Sequence, residues 1–288
     1  MSTDADLVHA VLDVRNARWF PGLAGALARS RWDAVQAATG LTRAAYGTAR
    51  YLAGDPGLPR DDLLAFEPPA EFRAAAPMAV ETLHGAVSRR YAELGLEFHA
   101  PGLLDAGRLR VRLDAAFRRL GEVPDAAAAI GAVLAVLHVA KPAGPDYDVS
   151  YSDPVLPFSI FVGIDAADQA HGDLRLAEGI LHECMHLQLT LIEAAVPMVA
   201  GTDERHHSPW QGTLRPAQGV LHGLYVFRVI QDFHRALLDG GRCTVDERAY
   251  LARRVRTIME EVGVLGDLSA SRDLTMAGRR LATALLAA

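Results

Sequence analysis

The sequence predicts a mainly α-helical protein with a small β element, and three observations carry that reading. Apolar residues recur at three- and four-residue spacing through most of the chain. Clusters of Gly and Pro cut this pattern into segments, and only one short run has the character of a strand. In order, residues 4–17, 23–38, 69–93, 103–119 and 124–139 show the helical period, broken by PGLAG, GDPGLP, Pro101-Gly102 and Glu122-Val123-Pro124. The stretch KPAGPDYDVSYSDPVLP, 141–157, has no such period, and FSIFVGI, 158–164, follows it as the strand. A long helix is expected over 174–195, halted by Pro197 and Gly201. GTDERHHSPWQGTLRP, 201–216, reads as an irregular loop, and helices at about 216–238, 244–263 and 267–286 close the chain. No internal repeat is visible. The organisation expected is a helical region over 1–140 and a second region over 141–288, with the 141–157 loop as the seam, or one continuous domain.

Composition narrows the function classes. The 288 residues are 50% hydrophobic and carry a formal net charge of −6. The 29 basic residues, all Arg except Lys141, form no run, which argues against a nucleic-acid surface. No apolar run approaches a membrane span. The opening MSTDADLVHAVLDVRN lacks the basic start and apolar core of a secretion signal, and two cysteines make no disulfide framework. A cytoplasmic setting is the expectation.

The chemistry concentrates in EGILHECMHLQLTLIE, 178–193. His182 and His186, four residues apart, stand roughly 40° apart on one helix face, so two imidazoles can converge on one metal ion. Glu183 sits roughly 100° round from His182, near enough to touch a metal-bound water but poorly placed as a third ligand. Leu181, Met185, Leu187 and Leu189 make an apolar wall beside them. The bland reading is that both histidines are satisfied polar groups on a buried helix. Placing HExxH on a strong helix directly after a strand favours the metal.

A third ligand is needed, and several residues offer one. Leu189 stands where a metzincin would have glycine. Asp203 and Glu204 lie at a gluzincin-like distance but in a loop, and His206 and His207 share that loop as ordinary surface polarity would. The stronger candidate is His222 in RPAQGVLHGLYVF, about two turns into a helix opened by Pro216, with Gly219 and Gly223 allowing close approach. A single His on an apolar helix is often core, but two partner histidines favour His222 as a ligand.

HECMH followed by SPW, RP and GVLHGLYVF resembles the bacterial HEXXH-motif family, some members of which are 2-oxoglutarate-dependent HExxH-type peptide β-hydroxylases. The resemblance covers roughly residues 150–235. It implies a helical metalloenzyme with HExxH on a central helix, an iron(II) centre, 2-oxoglutarate and O₂ as cosubstrates, and a ribosomally made precursor peptide as substrate. His182, His186 and His222 would leave three positions of an octahedral iron open, although non-haem iron more often has two histidines and a carboxylate. The distal carboxylate of 2-oxoglutarate calls for an arginine, and Arg215 beside Pro216 is the choice; Arg228 reads as structural. Glu183 would orient a ligand, water or substrate. In a zinc metallopeptidase, the first alternative, Glu183 would instead be the general base. A peptide-binding protein with structural zinc is the second, disfavoured because structural zinc takes four protein ligands. The 158–164 strand is a candidate edge for peptide pairing. Trp210 reads as a pocket wall or a packing anchor, and Cys184 as core.

Overall fold

The computed structural model describes residues 3–12, 19–60, 62–74, 76–83, 85–100, 102–142, 149–164 and 170–288. Of these, 58% are helical and 12% lie in strands, so the chain is mainly helical with a small mixed sheet. In chain order come α1 (Asp4–Val11), α2 (Pro21–Thr39), α3 (Thr48–Ala53), β1 (Asp62–Phe66), β2 (Met78–Glu81) and α4 (Gly85–Ala92). They are followed by α5 (Ala106–Gly121), α6 (Pro124–Val133), β3 (Val136–Ala140), β4 (Ser150–Tyr151), β5 (Ser159–Gly163) and α7 (Gly172–Ala195). The chain ends with β6 (Arg205–Ser208), β7 (Thr213–Pro216), α8 (Ala217–Asp239), α9 (Val245–Gly263) and α10 (Met276–Leu286). Residues 13–17 of the first expected helix and 143–148 of the expected seam lie outside the described residues. Among the described residues no helix is long and apolar enough to cross a membrane.

The chain divides into two compact units, Ala28–Leu187 on the one hand and Met1–Leu27 with Gln188–Ala288 on the other. The first holds a sheet in the order β1-β2-β3-β5-β4. Its three inner strands run parallel, and β1 and β4 pair antiparallel at the edges. Two expected helices are corrected here. The segment 124–139 is helical only to Val133, and its end is the strand Val136-Leu137-His138-Val139-Ala140. The segment 69–93 contains strand β2 before the short α4. The cause is the same in both: β2 and β3 are buried along their whole length, so they lack the alternation of a half-exposed strand. The expected edge role of 158–164 is also corrected, because β5 lies between β3 and β4 and its backbone is already paired.

Local chemistry explains where α6 gives way to β3. Arg43 donates to the carbonyl oxygens of Gly131 and Leu134 at 2.6 and 2.9 Å, a cation set against carbonyls that the helix end leaves without partners. A Cβ at Gly131 would overlap the Phe72 carbonyl oxygen, so only glycine admits that backbone. Trp32 stacks on Phe158 at 3.9 Å and 8°, and the Tyr46 hydroxyl donates to the Pro157 carbonyl at 2.5 Å, fixing the turn into β5.

In the second unit α8 packs with α9 and α10. The expected loop 201–216 is instead largely a hairpin, β6 against β7, with His206 opposite Arg215 and His207 opposite Leu214. The hairpin is mostly exposed and polar, so it carries no hydrophobic alternation to read. Trp210 at its turn stacks on Phe227 at 4.8 Å and 8°. A Cβ on Gly223 would stand 2.6 Å from the indole, so Gly223 makes room for Trp210, a packing anchor. The expected helix 267–286 is helical from Met276 on, after a 3-10 turn at Leu268–Ala270. Thr275 caps it by accepting from the Gly278 amide at 3.1 Å.

Candidate metal centre

Helix α7 runs unbroken from Gly172 to Ala195 and carries the whole HExxH motif. Ala177, Ile180, Leu181, Cys184 and Met185 are fully buried and fix which face turns inward. At its start Asp173 accepts from Arg119 of α5 at 2.6 Å, which anchors α7 in the first unit.

The Nε2 atoms of His182 and His186 lie 3.2 Å apart, with ring centroids 4.9 Å apart and planes at 63°. Two imidazole nitrogens each at about 2.1 Å from one ion and 3.2 Å from each other subtend about 100° at it. That falls between the right angle of an octahedral site and the tetrahedral angle, so the pair fits two neighbouring ligands of either geometry. The same separation suits a hydrogen bond between neutral rings, one donating and one accepting. His182 keeps 24% of its side chain exposed, so a ligand has access.

Glu183 is 3% exposed and has a donor on each carboxylate oxygen: Ser150 Oγ to Oε1 and Ser152 Oγ to Oε2, both 2.7 Å. Its Oε1 is 3.7 Å from His182 Nε2. Burial pushes the carboxyl above its ordinary range, and His186 and the two hydroxyls pull it partly back. Cys184 beside it is wholly buried, and burial drives its thiol far up, which makes it inert core. Ser150 and Ser152 were not read from the sequence. The available signal was their i, i+2 spacing in VSYSD, which puts both side chains on one face of a strand.

The other candidates lie in the second unit. His222 Nε2 is 3.0 Å from Glu193 Oε2, both side chains being 15% exposed, and Gln218 donates to the same oxygen at 3.2 Å. Glu193 is thus a partner of His222 that the sequence reading missed; it lies on the same helix as the motif, seven residues past His186. Arg215 is exposed on β7, immediately before the Pro216 N-cap of α8, and its guanidinium rests 3.4–3.7 Å from where a Gly219 Cβ would be. Glu204 is held by the Arg272 side chain at 2.7 Å, the Arg272 amide at 2.8 Å and the Ser271 hydroxyl at 2.7 Å. These donors pull its carboxyl down to about 2, so as a ligand it would have to give them up. Asp203 and His207 are exposed, and His206 Nε2 is 3.1 Å from Ser271 Oγ. Arg228 is buried and donates to the Leu285 carbonyl and to Gln231, which makes it a clamp on the end of α10. Among the described residues, no group of three or more His, Cys, Asp or Glu side chains is close enough to enclose an ion. No protein-family model matches this chain and no curated protein matches it, so the reading of the site rests on its own residues.

Proposed function

We propose that the chain is an iron(II)- and 2-oxoglutarate-dependent oxygenase that hydroxylates a side-chain carbon of a precursor peptide. The observation that carries the metal is the 3.2 Å separation of two imidazole nitrogens on one helix face. The choice of iron and of a peptide substrate rests on the resemblance of HECMH, SPW, RP and GVLHGLYVF to the HExxH-type hydroxylases. Bound iron(II) would supply activation of O₂ at the expense of 2-oxoglutarate, which leaves as succinate and CO₂ while one oxygen atom enters the peptide. His182 and His186 hold the ion as neutral imidazoles. Glu183 needs no proton in this role; fixed by two hydroxyls, it accepts a hydrogen bond from a water or substrate group beside His182 Nε2. The buried Leu181, Cys184 and Met185 keep solvent from the inner side.

The test is metal content after anaerobic purification, with succinate release on adding 2-oxoglutarate. Near-stoichiometric iron and succinate support the reading, and neither in the wild type sinks it. His222→Ala is expected to lower iron affinity. Arg215→Ala is expected to leave iron in place and weaken 2-oxoglutarate about ten- to a hundred-fold, the loss of one charge-assisted bond. An Arg215→Ala protein that titrates like wild type removes Arg215 from the cosubstrate site.

One observation favours a second reading. A buried carboxyl held above its ordinary range, 3.7 Å from a histidine nitrogen, is how a zinc peptidase equips its general base. Peptide cleavage that is lost in Glu183→Gln and indifferent to 2-oxoglutarate selects that reading over the oxygenase.

A further inference from the structure

We infer that Ser150 and Ser152 are positioning residues of the metal motif, a two-hydroxyl clamp that sets the Glu183 carboxylate against His182. The inference rests on the proposed metal site, which it deepens. Each hydroxyl donates to a different oxygen of Glu183, both at 2.7 Å. One such bond leaves a carboxylate free to rotate about its last torsion; two donors on separate oxygens, Ser150 on β4 and Ser152 just after it, fix its plane. The Oε1 atom so fixed lies 3.7 Å from His182 Nε2.

The clamp is itself held from the opposite face of its strand. Ser150 pairs with Val162 and Tyr151 with Phe161 across the β4–β5 ladder. Tyr151 points the other way, packing on Phe161 at 5.9 Å between ring centroids. Asp153, the next residue on that side, accepts from the Tyr91 hydroxyl at 3.0 Å. Ser150 and Ser152 turn instead to α7, where both reach Glu183. Gly179, one turn before Glu183, faces Ser150: a Cβ there would stand 4.0 Å from Ser150 Cβ, an ordinary contact. A buried carboxylate needs a donor for each of its oxygens, and these two hydroxyls supply both. Two hydroxyls, one for each oxygen of a carboxylate beside a histidine pair, define a direction.

The experiment uses the full chain reconstituted anaerobically with cobalt(II), whose visible absorption reports coordination geometry, alongside succinate-release kinetics with iron. Ser150→Ala, Ser152→Ala, the double alanine variant and the two Thr variants are compared with wild type. The double alanine variant is expected to bind one cobalt with a changed visible spectrum. With iron, its kcat is expected to fall about ten- to a hundred-fold while KM for 2-oxoglutarate stays within about two-fold. Thr keeps the hydroxyl and suits a strand, so both Thr variants should recover the wild-type spectrum and most of kcat. A double alanine variant with wild-type spectrum and kcat overturns the clamp, as do Thr variants no better than Ala. Wild type that takes up no cobalt overturns the metal reading itself, a failure separate from the other two. Should the double alanine variant misfold, the single variants with their Thr counterparts decide in the same way.

Discussion

His138 makes the chain sensitive to acid by an amount that follows from its surroundings. It is wholly buried on β3, with Nε2 2.8 Å from the Thr48 hydroxyl and Nδ1 3.8 Å from a Glu81 carboxylate oxygen. The Glu81 carboxylate would favour an imidazolium, but 3.8 Å is too long for a hydrogen bond to the ring, and burial prevails: the imidazole is pushed from 6.5 down to about 3. The sign follows from proton binding. Between those two values the unfolded chain takes up a proton that the folded chain refuses, so stability is lost as pH falls below 6.5. At about 1.4 kcal/mol per pH unit, going from pH 7 to pH 5 costs about 2 kcal/mol from this residue. The figure hardly depends on the folded value, provided that it stays well below 5. Other groups titrate over the same range, so the comparison is with His138→Asn, which keeps a polar partner for Thr48 and does not titrate. Urea denaturation of both proteins at pH 7 and pH 5 isolates the residue. Wild type should lose about 2 kcal/mol more than the variant. Equal losses would refute the argument, and so would a His138 proton resonance titrating near 6.5 in the folded protein.

Metal analysis of His182→Ala and His186→Ala should find the ion gone from both; near-stoichiometric metal in both would dismiss the site. Gly131→Ala should destabilise the fold by about 1–3 kcal/mol in urea, because its Cβ meets the Phe72 backbone, which cannot step aside. Gly179→Ala should be neutral or gain up to about 1 kcal/mol, since its Cβ meets only ordinary contacts at 4.0 Å and alanine suits a helix. The triple variant Ser150→Ala, Glu183→Met, Ser152→Ala should denature at a urea concentration no lower than wild type while losing metal-dependent turnover. A clear drop in its midpoint would make the serine–glutamate set a stabilising feature instead.

What could be read from the sequence followed how each segment meets water. Helices α7 and α8 show one apolar face and one polar face, so their ends were placed within about two residues. Strand β5 was legible because Pro157 and a loop rich in Asp and Ser isolate it. Strand β3 was not: between Ala126 and Ala140 the one interruption is Gly131, which reads as a single glycine inside a helix, and both halves are buried. Only the Arg43 contacts and the pairing of β3 with two neighbours end the helix there, and those are tertiary. The β6–β7 hairpin failed for the opposite reason, being too exposed to carry a hydrophobic signal. At the site, one helix face was legible from the four-residue spacing of His182 and His186. The serine clamp was not, because its donors come from a strand over thirty residues earlier and nothing local to HECMH announces them.

The Glu183 arrangement is best understood by asking what the fold would do without a function there. A carboxylate 3% exposed loses most of its hydration, and two hydroxyl bonds offset only part of that loss. Replacing such a buried polar set with apolar side chains of similar volume is often neutral or stabilising. Every other residue of α7 that is as deeply buried, apart from Gln188, is apolar or a cysteine, so the helix does not need polarity for its packing. Gln188 differs because it is a neutral amide and donates to the Tyr225 hydroxyl. Of the α7 carboxylates only Glu183 is buried, in the segment where two imidazole nitrogens face each other at 3.2 Å. A charge kept where packing would prefer none, and aimed by two separate donors at a histidine nitrogen, is costly for a scaffold and useful to a reaction centre.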